Sequence, residues 1–236
     1  MDNSWWQQLP PVTRNILLIN IIVWAFDSVA QNFGVQIIQW LGLFNWGAGA
    51  FHGAWTFHIW QPVTYMFMHQ GFWHMFCNMF AVWMFGTEIE RRWGSEKYLT
   101  YYFVSGLGAA LVQELVWMLT NGAAPGVTIG ASGAVFGILF AFGWLFPEVK
   151  MFLLFVPIPI PSRWFVAGYA IFELFAGIHQ TAGDNVAHFA HLGGMLFGWL
   201  LILFWKNKSK LRMRTRDKDN NAFNGYHYQP PIDEEK

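Results

Sequence analysis

Two residues of this chain have the types and settings for nucleophilic chemistry, and both lie in strongly apolar runs. Ser132 sits in Gly130-Ala131-Ser132-Gly133 at the start of one run, and His191 in Ala190-His191-Leu192-Gly193-Gly194 early in another. Burying polar side chains in hydrocarbon is expensive, which makes an intramembrane histidine a functional-site hypothesis by default. Glycines three or four residues apart on a helix let two backbones approach closely. Gly130, Gly133 and Gly137 surround the serine, and Gly194 and Gly198 follow the histidine. Close approach is what a serine–histidine hydrogen bond between two helices requires, since donor and acceptor must come within about 2.6–3.2 Å.

Plainer readings exist for each residue. A serine in a membrane helix commonly bonds back to its own helix or packs as a small residue. The start of a helix is a different setting, because free N–H groups and the dipole favour a developing negative charge there. His191 has a rival one turn earlier in His188; the Gly194 and Gly198 seam against Gly133 and Gly137 favours His191. His74 and Asn78 are four apart and share one helix face, where they could equally lock neighbouring helices together. The membrane acids Asp27, Glu114 and Glu173 are candidates to orient the imidazole, yet nothing in the spacing selects one, and the third position is left empty. No His-Glu-x-x-His run occurs, and His188 and His191 lack an evident third ligand at matching depth, so no metal or organic cofactor is expected.

The elements that must position these groups are membrane helices. Only 12% of residues are charged and 55% are hydrophobic, against about 25% charged in soluble domains. Zero formal net charge argues against a nucleic-acid partner, and a single cysteine, Cys77, excludes an internal disulfide. Cys77 reads as a small core residue. Runs near 20 apolar residues place spans at roughly 14–31, 70–87, 97–120, 131–147, 163–181 and 186–205. The first is expected to be a permanent helix rather than a signal peptide. Between the first two spans, residues 32–70 carry no Lys, Arg, Asp or Glu and read as a long interfacial loop. All 14 basic residues fall on one side of this six-span pattern, eight of them after the sixth span. The positive-inside bias makes that side cytoplasmic, with both termini inside. The expected organisation is thus a cytoplasmic N-terminus at 1–13, an all-α six-span domain at 14–205 and a basic, mostly disordered tail at 206–236. On this topology Ser132 and His191 lie within roughly 10 Å of the outer interface at 1.5 Å per residue, and His74 and Asn78 fall in the same outer third of the membrane.

At these residues the chain resembles the rhomboid family of intramembrane serine proteases. The matching pieces are His74 to Asn78, Glu90-Arg91-Arg92-Trp93-Gly94, Gly130 to Gly133, and Ala190 to Gly194 with Gly198, all in order over about residues 60–205. The resemblance implies a rhomboid-like helical bundle and a Ser132–His191 dyad without an acidic third member. It further implies an oxyanion hole from the Ser132 backbone N–H and the side chains of His74 and Asn78. Phe136 stands where some members carry a tyrosine stacked on the histidine, and the first loop lacks the Trp-Arg pair often found there. The implied activity is endoproteolysis of transmembrane or membrane-anchored proteins near the outer interface, in the lipid of a bacterial inner membrane. A catalytically inactive rhomboid-like binder of membrane helices is the alternative, and the presence of both serine and histidine weighs against it.

Overall fold

A computed structural model of the chain describes residues 5–46, 56–120, 126–153, 156–179 and 186–224. After a 3-10 turn at Trp5–Gln8, α1 runs over Pro11–Asn32, with proline at a helix start where its missing N–H costs nothing. The loop that follows contains α2 (Ile38–Leu41), β1 (Leu43–Phe44), α3 (Gln61–Thr64) and a 3-10 turn at Tyr65–Phe67. Next come α4 (Phe72–Ala81), a π-helical turn at Val82–Gly86 and α5 (Thr87–Trp93), stacked end to end. Gly94, at φ +83°, turns the chain into α6 (Ser95–Leu119). β2 (Val127–Thr128) precedes α7 (Ser132–Leu145), a hairpin of β3 (Lys150–Leu153) and β4 (Val156–Pro161) leads to α8 (Ser162–Ile178), and α9 is His188–Asn224.

The helical segments fall where the apolar runs predict them, to within a few residues at most ends. By length and composition, Pro11–Asn32, Ser95–Leu119 and His188–Lys208 can each cross a membrane, and Ser132–Leu145 is a shorter apolar helix. Two expectations need correction. The fold is mostly helical rather than all-α, because β1 pairs antiparallel with β2 (Leu43 opposite Thr128) and β3 with β4. These connections carry β-branched residues, and their backbone groups need partners wherever water is scarce. The basic stretch after Trp205 is also helical as far as Asn224, where disorder was expected from 206. Lys, Arg, Leu and Met rank among the better intrinsic helix formers; residues 225–236 lie outside the described ones. Residues Met1–Trp199 make up one compact unit and Leu200–Lys236 a second, the latter helical through 224.

The first unit has an apolar core, including Leu43, Ile89 and Ile138, but it also buries polar groups and exposes large apolar side chains. Phe26, Trp73, Ile171, Phe175 and Ile178 point outward with more than 60% of their surface exposed. Asn20, Gln61, Asn78, Glu90, Ser105 and Glu173 are buried. Apolar faces exposed on this scale are stable only against hydrocarbon. Glu90 is the most fully paired of these buried polar groups. Glu90 accepts from the Val12 and Thr13 amides at 2.9 and 2.7 Å and from the Thr13 and Ser95 hydroxyls at 2.7 Å each. One carboxylate thereby caps the first turn of α1, whose N–H groups have no partner within their own helix. Arg91 pairs instead with exposed Glu88 at 2.8 Å.

The long first loop is pinned by the β1–β2 pairing, by its own Gln61 and by Glu114 of α6. Gln61 Oε1 accepts from the Phe44 amide at 3.2 Å, and Glu114 Oε2 from the Trp46 amide at 3.0 Å. Trp60 Nε1 donates to the Trp40 carbonyl at 2.8 Å, with His58 stacked against both indoles. A buried carboxylate and a buried amide therefore anchor this loop, which contains no arginine.

Candidate active site

The serine is set by a turn that only glycine can make. Gly130 has φ +125°, in the half of conformational space that disfavours a Cβ. A Cβ there would also stand 2.7 Å from His74 Nε2 and 3.7 Å from Ser132 Oγ. Gly130 thus lies before the helix rather than in a helix–helix seam, and it brings His74 close to the serine. The turn is fixed by the Gly130 amide donating to the Tyr65 carbonyl at 2.9 Å, and by the Ala131 amide reaching His69 Nε2 at 3.5 Å. The Val135 N–H donates to the Ala131 carbonyl at 2.9 Å, and the amides of Ser132, Gly133 and Ala134 are the first-turn donors that an α-helix leaves free of i−4 partners.

The remaining glycines bring α9 onto this helix. A Cβ on Gly194 would collide with the Gly133 carbonyl, and one on Gly137 would stand 3.1 Å from the Gly194 carbonyl. Gly133 also leaves room for Ala109 of α6. Gly198 serves a different neighbour from the one its spacing suggests: it faces the Tyr101 phenol and Ser105 of α6.

This packing places Ser132 Oγ 2.9 Å from His191 Nε2. Phe136, one turn after the serine, stacks on the imidazole at 4.1 Å between centroids and 8° between planes. Tyr169 of α8 tilts against Phe136 at 5.4 Å. The other face of the histidine chemistry was not legible in the sequence. Glu173 Oε2 lies 2.9 Å from His191 Nδ1 and 2.7 Å from His188 Nδ1. A carboxylate at Nδ1 requires the proton there, so Nε2 presents its lone pair and accepts the serine hydroxyl. Glu173 fills the position that the spacing left empty. Its depth was masked by the span boundary: α8 ends at Ile178, three residues before the expected 181, which brings Glu173 within five residues of that end.

His74 and Asn78 lie on α4, next to the serine turn. Asn78 Nδ2 donates one hydrogen to the His74 carbonyl at 2.8 Å and keeps a second. The Gln70 amide approaches His74 Nδ1 at 3.4 Å, which leaves Nε2 as the donor facing Gly130. Asp27 accepts from Gln31 at 2.8 Å and Glu114 from the Trp46 amide at 3.0 Å, and neither bonds to His188 or His191. Cys77 is exposed rather than in the core, between exposed Phe76 and buried Asn78.

Glu173, His188 and His191 also offer three ligand atoms within 4.8 Å of one another, a donor set that could hold a metal ion. The third ligand that the sequence seemed to lack is therefore present. In this arrangement both Nδ1 atoms face a single carboxylate oxygen at hydrogen-bond distance, so a metal would have to displace two protons.

Residues 56–208 match the Rhomboid domain. The chain is 37% identical over 139 residues to "Rhomboid protein 1, mitochondrial" of Saccharomyces cerevisiae, covering 57% of this chain and 40% of that protein. It is 32% identical over 155 residues to the human "Presenilin-associated rhomboid-like protein, mitochondrial", covering 61% and 39%. With "Rhomboid protease GlpG" of Photorhabdus laumondii it shares 27% identity over 219 residues, covering 91% and 70%. The chain thus spans about two-fifths of the length of the mitochondrial relatives. Its membrane-length apolar helices and a domain match over more than half of its residues lead to one conclusion: this multi-pass membrane protein belongs to the rhomboid family.

Proposed function

We propose that this protein is an intramembrane serine endopeptidase that cuts transmembrane or membrane-anchored proteins near the outer interface. The observation that carries the reading is the 2.9 Å contact between Ser132 Oγ and His191 Nε2 at the start of α7. The functional unit is residues 14–205, crossing the membrane six times with both termini cytoplasmic, and the basic stretch after Trp205 holds that orientation. A bacterial inner membrane suits this charge pattern.

His191 Nε2 takes the Ser132 proton as Oγ attacks the substrate carbonyl carbon. Negative charge gathers on the former carbonyl oxygen, met by the Ser132 amide, His74 Nε2 and the free Asn78 hydrogen. His191 then gives its proton to the leaving amine nitrogen, and the C–N bond breaks. Water attacks the acyl ester, losing a proton to Nε2, and Ser132 is regenerated. None of these steps calls for a metal or an organic cofactor. A substrate helix must unwind locally to present a carbonyl, so helices weakened by Gly or Pro are the preferred substrates.

The test is cleavage of a model transmembrane substrate in detergent by wild type and by Ser132→Ala. Loss of cleavage in the variant, with fluorophosphonate labelling of the wild type at Ser132, is the expected result. Equal cleavage by both rejects the assignment. Substrate binding without labelling or cleavage by the wild type points to the inactive-binder alternative.

A further inference from the structure

We propose that Glu173 is a positioning residue for His191, held in place by His188, so that the dyad works as a Ser132–His191–Glu173 relay built from three helices. This rests on the serine-protease reading and goes beyond the two-residue mechanism that the family resemblance implies.

The first argument is the cost of the carboxylate. Glu173 is 3% exposed and is carried by α8, whose neighbouring side chains Ile171, Phe172 and Phe175 point outward. An acid at such a position is expensive unless it is paired. His188 and His191 each bring an imidazole Nδ1 to it, and both meet the same oxygen, Oε2. His188 and His191 are one turn apart on α9, so a single carboxylate reaches both.

The second argument is what this does to the base. With Nδ1–H committed to Glu173, one tautomer of His191 is fixed, and its Nε2 lies 2.9 Å from Ser132 Oγ. Phe136 fixes the ring plane from one face at 4.1 Å. The imidazole is thus constrained in tautomer, tilt and position by groups on α7 and α8. When His191 takes the serine proton, the carboxylate faces the new positive charge; the Nδ1 proton stays on nitrogen and no bond to Glu173 is made or broken. His188 supplies the second hydrogen bond that keeps Oε2 in place when the substrate enters. A carboxylate serving His188 alone would have no need to lie on the line from Ser132 through His191.

The experiment uses the full-length protein in detergent with a fluorogenic transmembrane peptide, comparing wild type, Ser132→Ala, Glu173→Gln and Glu173→Asp. Glu173→Gln should lower kcat by about 10²–10⁴-fold, the upper figure being that of the carboxylate-to-amide change in a Ser-His-Asp triad. KM should stay within about twofold, as for an interaction made only in the transition state. The fluorophosphonate labelling rate of Ser132 should fall with kcat, and Glu173→Asp should recover part of the loss. Wild-type kcat in folded Glu173→Gln, with Ser132→Ala inactive, overturns the inference and leaves the protease reading intact. An active Ser132→Ala overturns the protease reading itself. If Glu173→Gln does not fold, the Ser132→Ala protein decides by histidine-labelled NMR. A low-field Nδ1–H resonance that disappears in the further variant His191→Asn supports the relay, and its absence overturns it.

Discussion

Gly194 of α9 rests on the backbone of Gly133 in α7, with no space for a methyl group between them. Ser132 adjoins one of these glycines and His191 lies one turn before the other, so their 2.9 Å separation is set by backbone contact. Gly194→Ala should therefore force the two helices apart. We expect a stability loss of about 1–3 kcal/mol from overpacking. Labelling of Ser132 should slow by about 10²-fold, the cost of roughly 1 Å of misplacement. Thermal unfolding and fluorophosphonate kinetics on the same sample check both. Unchanged labelling would show that the seam does not set the reacting distance.

His74→Ala and Asn78→Ala should each reduce kcat by about 10²–10³-fold while KM hardly moves. Steady-state kinetics on a transmembrane peptide measures this. A fall confined to KM would instead assign the pair to substrate binding.

Phe136 touches His191 through its ring face alone. Aromatic stacking is worth about 0.5–1.5 kcal/mol beyond burial. Phe136→Leu should therefore cost up to about tenfold in kcat, with the protein still folded. A loss of several hundredfold would mean that the ring does more than hold the imidazole plane.

Glu90 lies far from this chemistry and should behave oppositely. Glu90→Ala strips the acceptor from two α1 amides and two hydroxyls. A destabilisation of about 3 kcal/mol is expected, the upper range for bonds to a charged group. It is readable as a lower midpoint in denaturant, with kcat of the folded fraction preserved. A wild-type midpoint would show that the cap is dispensable.

How far the sequence reveals this structure follows from how local each signal is. The apolar runs define the helices because a membrane demands long stretches of internally bonded backbone. Ser132, His191 and their glycines stand out because polar and small residues are conspicuous in such runs. Glu173 escapes because its meaning depends on where α8 ends, and apolar periodicity locates helix ends only to within a few residues. Gly130 has a pattern that suggests a packing seam, yet its positive φ and its contact with His74 belong to a turn. Gly198 meets α6 rather than α7 because rotation of α9 about its axis decides which neighbour a glycine serves. The strand pairs joining β1 to β2 and β3 to β4 are too short for alternation to reveal them.

The clasp on Glu90 has one more effect. Along α6, its partner Ser95 and the Ala109 contact to Gly133 are about 21 Å apart at 1.5 Å per residue. The fastening of the first helix and the machinery of peptide hydrolysis thus occupy opposite poles. Mutational drift around the serine can retune which peptides are accepted without loosening that distant knot.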